Sequence, residues 1–245
     1  MKLALREAGD PKGLPVVLLH AFPMSGAMWE PQLSALQAFR VLIPDLRGFG
    51  GTPLAAPWLV EHAGADVLES FAGKAVFVGL SMGGYVALQI AAAAPERVAG
   101  LVLCDTRAEP DANENKAKRA AAIDFVRKNG VEAFLGPFLK DAVHNQAAMP
   151  LLRSVAAKAS PEAVMAALAA LAARPDAVPG LSKITAPTAV LVGSQDKITP
   201  LPLSETMRSR IPGAELHLIP DAGHFSNAEN PAAFNLALVS FLNRL

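Results

Sequence analysis

The chain has 245 residues, enough for one large α/β domain with a sizeable core, so neither disulfides nor metal ions are needed to hold it together. Its 22 basic and 22 acidic residues give a formal net charge of +0, which excludes a basic face for nucleic acid and favours a small or neutral substrate. The single cysteine, Cys104, lies in an apolar run and excludes an internal disulfide, as expected in a reducing compartment.

The N-terminal sequence carries charges at Lys2, Arg6 and Glu7, too early for a signal peptide. No apolar stretch is long enough to span a bilayer. We therefore expect a cytoplasmic protein that has no membrane contact, and the sequence carries no signal for an oligomeric state.

The first part of the chain alternates between predicted strands and helices. Residues 1–7 alternate weakly and predict an edge hairpin strand, with a turn over residues 9–13. Apolar runs over 15–20 and 39–45 have the length of buried strands, and helices are predicted over 29–36 and 61–71. This alternation indicates a parallel sheet.

The second part adds a helical insertion to the same sheet. Strands are predicted over 98–105, 187–193 and 215–219, and a final helix over 231–242. Between residues 106 and 180 buried strand runs are absent, and the alanine-rich sequence has helical spacing. Four helices are predicted there, over 117–128, 131–139, 149–157 and 161–173, with breaks at Gly130, Gly136-Pro137, Ser160-Pro161 and 175–180.

A glycine-framed serine joins a predicted strand to a predicted helix within residues 74–90. Ser81 lies at the tip of this turn, and Gly79 and Gly83 must be small for strand and helix to approach each other. The strained turn directs the Ser81 hydroxyl outward. Met82 begins the helix, so its unpaired N–H can face an oxyanion above Ser81. Because this pattern also arises by chance, it needs a base and an acid later in the chain.

An activated serine needs a base within hydrogen-bond reach. Only His224 follows the last predicted strand, in a loop at the carboxyl end of the sheet, where ligands bind in open parallel sheets. The other histidines fall in a helix, a strand, the insertion or a turn, where solvated or structural imidazoles are usual. The candidates are His20, His62, His144, His217 and His224.

Two aspartates compete to orient that base. Asp196 follows the strand after the insertion, and Asp105 follows the strand before it, so both lie at the correct end of the sheet. The chain order serine, acid, histidine accommodates either. Asp196 is favoured, because Thr106 and Arg107 stand beside Asp105 as local partners for a structural role.

A second oxyanion donor is predicted in the turn after the second strand. Phe22 has a free N–H there, and Pro23 helps to fix the shape of the turn. His20 is interpreted as an imidazole packed under this turn and bonded to backbone. The glycine-rich loop at 45–52 lacks the Lys-Ser or Lys-Thr of a phosphate loop, and a turn fastened by Asp45 and Arg47 is predicted instead.

Taken in order, these motifs resemble the α/β-hydrolase fold superfamily over nearly the whole chain. Within it, the chain is similar to small cytoplasmic carboxylesterases and to the 3-oxoadipate enol-lactonase group. The matching motifs are His20-Ala21-Phe22-Pro23, Asp45-Leu46-Arg47-Gly48-Phe49-Gly50, Gly79-Leu80-Ser81-Met82-Gly83-Gly84, Gly193-Ser194-Gln195-Asp196 and Gly223-His224-Phe225.

This resemblance implies a mostly parallel twisted sheet with helices on both faces, formed by residues 1–110 and 181–245, and a helical cap of residues 111–180. It also implies acyl transfer without a metal or cofactor: Ser81 attacks a carbonyl, His224 transfers the proton and Asp196 holds the imidazole. A serine at the elbow argues against haloalkane dehalogenase and epoxide hydrolase chemistry, which uses a carboxylate nucleophile.

Substrate choice is expected to depend on the cap and the loops that face it. Hydrolysis of short or medium, mainly neutral esters is predicted, with lactone hydrolysis as the alternative. Candidate pocket walls are Phe22, Met24, Trp29, Phe125, Phe134, Phe138 and Phe225. Because an enol-lactone carries carboxylates, a lactonase would present a cation, for which the candidates are Arg107, Arg119, Arg127 and Arg153.

The same residues leave two other reactions open and make a non-catalytic role less favoured. Peroxyacid formation and carbon–carbon bond hydrolysis use the same triad and stay open. A ligand receptor on a hydrolase scaffold is disfavoured, because such proteins often lose a triad member and Ser81, Asp196 and His224 are all present.

Overall fold

A seven-stranded sheet forms the centre of the protein. The computed structural model describes residues 1–245. The strands are β1 (Leu5–Gly9), β2 (Pro15–Leu19), β3 (Arg40–Pro44), β4 (Ala75–Leu80), β5 (Val98–Cys104), β6 (Thr188–Gly193) and β7 (Glu215–Ile219). Their spatial order is β1-β3-β2-β4-β5-β6-β7, and only β1 runs antiparallel to its neighbour.

The order of the strands reverses between β2 and β4. The chain passes from β2 outward to β3, and then crosses β2 to enter β4. Because crossovers between parallel strands are right-handed, connections in opposite directions place their helices on opposite faces. The predicted fold class, a mostly parallel sheet with helices on both faces, is confirmed.

The reversal of strand order also places the carboxyl ends of β2 and β4 on either side of the crevice where open α/β sheets bind ligands.

Eight helices accompany the sheet. They are α1 (Val60–Glu69), α2 (Met82–Ala93), α3 (Asn113–Ala142), α4 (Met149–Ala156), α5 (Pro161–Ala173), α6 (Leu201–Arg210), α7 (Ser226–Glu229) and α8 (Pro231–Leu242). α2 is apolar on nearly every face and almost entirely buried, because it packs against β2, β4 and β5 and lies next to α1. No single helix is both long and apolar enough to cross a membrane, and only a pair bent by 109°, Gln146–Ala156 with Pro161–Ala173, passes that test jointly.

The first strand is an edge strand, but the predicted hairpin is wrong. β1 pairs with β3, with Leu5 opposite Pro44, and does not touch β2 in the sheet. Both edges of β2 are taken by parallel neighbours, β3 and β4. The outer edge of β3 is therefore the free edge that β1 can pair with.

The predicted helix over residues 29–36 is also corrected. The chain instead forms a 3-10 helix over Gly26–Gln32 and continues in turns. Pro31 lies inside this segment and has no N–H, so a regular α-helix would lose a hydrogen bond there.

The segment between β5 and β6 is helical, as the sequence indicates. A kink at Gly130, with φ 80° and ψ 173°, divides α3 into two parts, and glycine tolerates this backbone conformation. The predicted break at Gly136-Pro137 is wrong, because α3 runs through Pro137 to Ala142. Leu135 and Leu139 are both buried on one face of this part of α3, and their burial offsets the hydrogen bond that proline removes.

Candidate active site

Ser81 occupies the turn between β4 and α2 with φ 52° and ψ −112°. A positive φ is rare for a residue other than glycine, and close packing of strand and helix must hold it. A Cβ atom on Gly79 would lie 2.3 Å from the Gly83 carbonyl oxygen, and one on Gly83 would lie 2.1 Å from the Leu19 carbonyl oxygen. The requirement for glycine at both positions is confirmed.

We expect Gly83→Ala to lower the free energy of unfolding by about 1–3 kcal/mol, because the added methyl group forces the backbone apart at the elbow. Urea unfolding measures this change. Gly136→Ala is the matched control, since a Cβ atom there meets nothing within 4 Å and alanine is favoured by about 0.5–1 kcal/mol in a helix. Equal stability of Gly83→Ala and the parent protein would contradict the close packing.

Three side chains from the carboxyl ends of β4, β6 and β7 form one hydrogen-bonded chain. The Ser81 hydroxyl lies 2.8 Å from Nε2 of His224, and Nδ1 of His224 lies 2.9 Å from Oδ2 of Asp196. Because a carboxylate only accepts, Nδ1–H donates to Asp196 and leaves Nε2 to accept from Ser81. All three side chains are buried. The structure thus brings together the three residues that the sequence placed in separate loops, in a geometry that can deprotonate a hydroxyl.

The carboxylate of Asp196 is held by its own loop. Its Oδ1 accepts from the N–H groups of Ile198 at 2.8 Å and Thr199 at 3.0 Å, and its Oδ2 accepts from the Thr199 hydroxyl at 2.6 Å. Burial opposes ionisation, but the charge and hydrogen bond of His224 and the donors of Thr199 outweigh it and lower the pKa of Asp196 to about 2. Thr199 was not identified from the sequence, although an aspartate followed three residues later by threonine is typical of a side-chain-stabilised turn.

Asp105 lies in the same buried region but makes no hydrogen bond to His224. Its Oδ1 accepts from the Gly193 N–H at 2.8 Å, and its Oδ2 accepts from the N–H and hydroxyl of Ser226. Burial and the charge of Asp196 raise the pKa of Asp105 to about 8. At neutral pH the charged acid beside the imidazole is therefore Asp196, whereas Asp105 joins the ends of the two loops that carry Asp196 and His224.

The partners expected for Asp105 from the sequence are wrong. Arg107 pairs with Asp111 at 2.9 Å, and the Thr106 hydroxyl donates to the Ser81 carbonyl oxygen at 2.9 Å. Residues that are adjacent in sequence are not the partners, because Asp105 has φ 43° and its side chain contacts Gly193 of β6 and Ser226 of α7 instead.

Glu229 organises the loop of His224 and had no signal in the sequence. Its carboxylate accepts from Gly223 N–H at 2.9 Å and from Phe225 N–H at 3.1 Å, on either side of His224. It also accepts from the backbone of His144 at 2.8 Å and of Asn145 at 2.7 Å, beyond the end of α3. One buried carboxylate therefore links the loop of the proposed base to the helical segment.

The pKa of His224 is raised above the ordinary imidazole value of 6.5. Burial lowers it, but the charge and hydrogen bond of Asp196 outweigh burial, with a smaller contribution from the charge of Glu229. The environment therefore stabilises the imidazolium that forms when the base accepts a proton.

Two backbone N–H groups lie in the turns that follow β2 and β4, where the strand order reverses. Phe22 follows β2 and Met82 begins α2 after β4, and these two strands are direct neighbours in the sheet. Neither N–H donates to a group of the chain. Both N–H groups are thus without a partner in the chain, and their role as donors to a developing oxyanion stays a prediction.

The turn beneath Phe22 rests on His20. The His20 ring is fully buried, Nε2 accepts from the Leu46 N–H at 2.9 Å, and Nδ1 lies 3.0 Å from the Ala21 carbonyl oxygen. Burial lowers the pKa of His20. The structural interpretation of His20 is therefore confirmed.

The loop over residues 45–52 is fastened as predicted by Asp45, whose carboxylate accepts from the N–H groups of Gly26 at 2.7 Å and Gly51 at 2.8 Å. Arg47 does not fasten this turn. It binds Asp66 of α1 instead.

A cleft of about 360 Å³ is lined by Phe22, the residue that carries one of the two predicted oxyanion donors. Phe134 and Phe138 of α3 also line it, and their rings lie 6.1 Å and 5.8 Å from the Phe22 ring. Phe225 extends this aromatic group inward, because its ring lies 6.5 Å from that of Phe138 and 5.5 Å from that of His224. Aromatic side chains therefore connect the cleft to the candidate base.

The other candidate wall residues lie elsewhere. Trp29 is fully buried, with its ring 6.1 Å from that of Phe234 in α8, so it belongs to the core. Phe125 is 44% exposed on α3, and Met24 is fully buried. None of these three residues lines the cleft.

The four candidate arginines divide into two pairs. Arg107 and Arg119 line the cleft. Arg127 pairs with Asp124, and Arg153 pairs with Glu132, at exposed positions outside the cleft.

The fold and the Ser81–His224 hydrogen bond are those of a hydrolase with an α/β sheet. Residues 16–237 match the Alpha/beta hydrolase family, so the chain belongs to this family. The chain is 36% identical to an esterase from Thermogutta terrifontis solved with malate bound, with a TM-score of 0.93 over 99% of this chain and 93% of that one.

Further relatives have different named activities. The enol-lactonase from Burkholderia xenovorans LB400 is 29% identical, with a TM-score of 0.90 over 98% of this chain and 96% of that one. The RutD protein of Variovorax paradoxus, named for carbamate hydrolysis, is 32% identical over 100% of this chain and 97% of its own length. The predicted resemblance to esterases and enol-lactonases is confirmed.

Proposed function

We propose that the protein hydrolyses carboxylic esters through a covalent acyl-enzyme on Ser81. The observation that carries this proposal is the chain of hydrogen bonds from the Ser81 hydroxyl to His224 at 2.8 Å and on to Asp196 at 2.9 Å. A serine activated in this way attacks carbonyl carbon, which is the first half of ester hydrolysis.

In the first step the Ser81 oxygen bonds to the ester carbonyl carbon while its proton passes to Nε2 of His224. The carbonyl oxygen becomes an oxyanion, and the N–H groups of Phe22 and Met82 stabilise it. The bond to the alcohol oxygen then breaks, and His224 returns the proton to that oxygen. Water, deprotonated by His224, attacks the acyl-enzyme in the second half, and the acid leaves as Ser81 regains its proton.

Asp196 has an electrostatic role in this scheme. Its carboxylate fixes the imidazole tautomer through Nδ1–H and stabilises the imidazolium of each transition state. The low pKa of Asp196, about 2, keeps it charged across the working pH range, and it does not itself take the proton. No metal or cofactor enters any of these steps.

We further propose that residues 111–180 act as a cap on a core of residues 1–110 and 181–245. Phe134 and Phe138 come from the helical segment, whereas Phe22 and Phe225 come from the two core segments, and the four rings pack together. A small-molecule substrate would therefore contact both parts. Changes in the cap should alter substrate choice without altering the chemistry.

Lactone hydrolysis is the second candidate function. A lactone is an ester whose alcohol stays attached to the acyl group, so Ser81, His224 and Asp196 would act on it as on an open ester. Two observations favour it: a relative is an enol-lactonase, and Arg107 and Arg119 line the cleft, as expected for substrates that carry carboxylates.

Labelling with a fluorophosphonate tests the proposal, since this reagent phosphonylates only an activated serine. We expect one adduct, located on the peptide that contains Ser81 by mass spectrometry. Ser204, which is buried and has no hydrogen-bond partner, should stay unmodified. Absence of an adduct on Ser81 in the folded protein would refute an acyl-enzyme mechanism.

A further inference from the structure

Three guanidinium groups surround a single carboxylate beside the cleft. Asp111 is buried and accepts from Arg107 at 2.9 Å, from Arg174 at 2.7 Å and from Nε of Arg119. Burial opposes its ionisation, but Arg119 and Arg174 lower the pKa of Asp111, so the group is a carboxylate. One negative charge against three positive charges leaves an excess of two.

The three arginines differ in their remaining partners. Arg174 is almost fully buried, donates to the carbonyl oxygens of Leu171 and Glu109, and lies over the Tyr85 ring at 4.4 Å, so its role is structural. Arg107 and Arg119 line the cleft instead. Nε of Arg107 is buried and has no acceptor in the chain. The excess charge therefore faces the cleft through these two residues.

Two lysines also line the cleft, and no acid lines it. Lys118 and Lys197 line the cleft, and none of the 11 lining residues is Asp or Glu. Lys118 is paired with Glu114 at 2.7 Å in an exposed position, whereas Lys197 forms no ion pair. The remaining walls are mainly apolar, and a cleft with cations in such walls concentrates a positive field.

This cationic cleft adjoins the proposed reaction site. Phe22 lines the cleft, and its N–H is a proposed oxyanion donor. Ile198 also lines the cleft, and its N–H holds the carboxylate of Asp196 at 2.8 Å. The cleft and the proposed reaction site therefore share the segments of Phe22 and Ile198.

We propose that this cleft binds a carboxylate at the far end of the acyl chain, so that the preferred substrates are half-esters or lactones of dicarboxylic acids. Arg107 and Arg119 bind the carboxylate, because a guanidinium matches its two oxygens, and Lys197 adds a point charge. This inference rests on the proposed hydrolysis at Ser81. It replaces the neutral substrate that the balanced composition suggested, because charge is distributed unevenly over the fold.

The test compares mono-4-nitrophenyl pimelate with 4-nitrophenyl heptanoate, which have acyl chains of equal length and differ in one terminal carboxylate. We expect kcat/KM to be about tenfold or more higher for the pimelate half-ester. Arg119→Gln and Lys197→Gln should each lower this ratio by about tenfold, mainly through KM. Lys197→Gln breaks no ion pair, so it tests the charge even if Arg119→Gln unfolds the region around Asp111.

Arg127→Gln is the matched control, because it removes an exposed arginine of the same helix and should leave both kcat/KM values unchanged. The proposal is overturned if the parent protein hydrolyses the heptanoate ester as fast as the pimelate half-ester, or if Arg119→Gln and Lys197→Gln both keep the ratio of the parent protein. If neither ester is hydrolysed, the proposed function fails instead. Calorimetry of pimelate and heptanoate binding then tests the proposed carboxylate site. The proposal requires that pimelate binds more tightly than heptanoate.

Discussion

Ser81→Ala is expected to lower kcat for 4-nitrophenyl butyrate by about 10⁶-fold, because loss of the nucleophile removes the acyl-enzyme route altogether. Stability should change little, since the hydroxyl is small and alanine suffers the same strain as serine at φ 52°. Steady-state kinetics and urea unfolding measure the two quantities. Residual hydrolysis above the rate in water would come from the oxyanion donors Phe22 and Met82.

Ser204→Ala provides the matched control for this result. Ser204 is a buried serine of α6 whose hydroxyl has no hydrogen-bond partner, so its removal should leave kcat unchanged. Full activity in a correctly folded Ser81→Ala protein would place the nucleophile elsewhere and reject the proposed mechanism.

Asp196→Asn should lower kcat by about 10³- to 10⁴-fold, because the amide cannot stabilise the imidazolium and favours the wrong tautomer of His224. The pH profile should change as well. Activity requires neutral His224, so kcat/KM of the parent protein falls as pH drops through a pKa above 6.5. Removal of the Asp196 charge lowers that pKa and should move this acidic limb to lower pH.

Asp105→Asn is the decisive comparison. Because Asp105 is uncharged near neutral pH, with a pKa of about 8, the substitution should reduce kcat by less than about tenfold. It should instead lower the free energy of unfolding by about 1–3 kcal/mol, since an amide N–H₂ would face a donor of Gly193 or Ser226. A larger loss of kcat in Asp105→Asn than in Asp196→Asn would reverse the assignment of the acid.

Most strands could be predicted because their local signal agrees with their environment. β4 and β6 are buried along their whole length, so their continuous apolar runs report directly on a sheet covered on both faces. β1 has no such apolar run. It pairs with β3 because both edges of β2 are occupied by other strands, and the local sequence does not show this. α6 was not predicted, since its sequence is polar on average and it is stabilised by packing against β6.

The walls of the cleft could not be predicted reliably, because apolar residues serve a core and a pocket equally well. Trp29 and Phe138 are both aromatic residues that the sequence offers as candidate pocket walls. Trp29 packs on Phe234 of α8, whereas Phe138 lines the cleft. Which face of α3 turns inward depends on the kink at Gly130 and on its contact with α5. Those features are set by packing between distant segments.

The sequence by itself determined the fold class, the elbow at Ser81 and the candidate acids and base, because in a parallel sheet every loop at a carboxyl end reaches the same edge. Only the tertiary structure showed which acid contacts His224. Asp105 and Asp196 both follow a strand at the carboxyl end of the sheet, but only Asp196 forms a hydrogen bond with Nδ1 of His224. The tertiary structure also determined the charge of the cleft. A balanced total charge says nothing about position, and folding brings Arg107, Arg119 and Lys197 to the walls of one cleft.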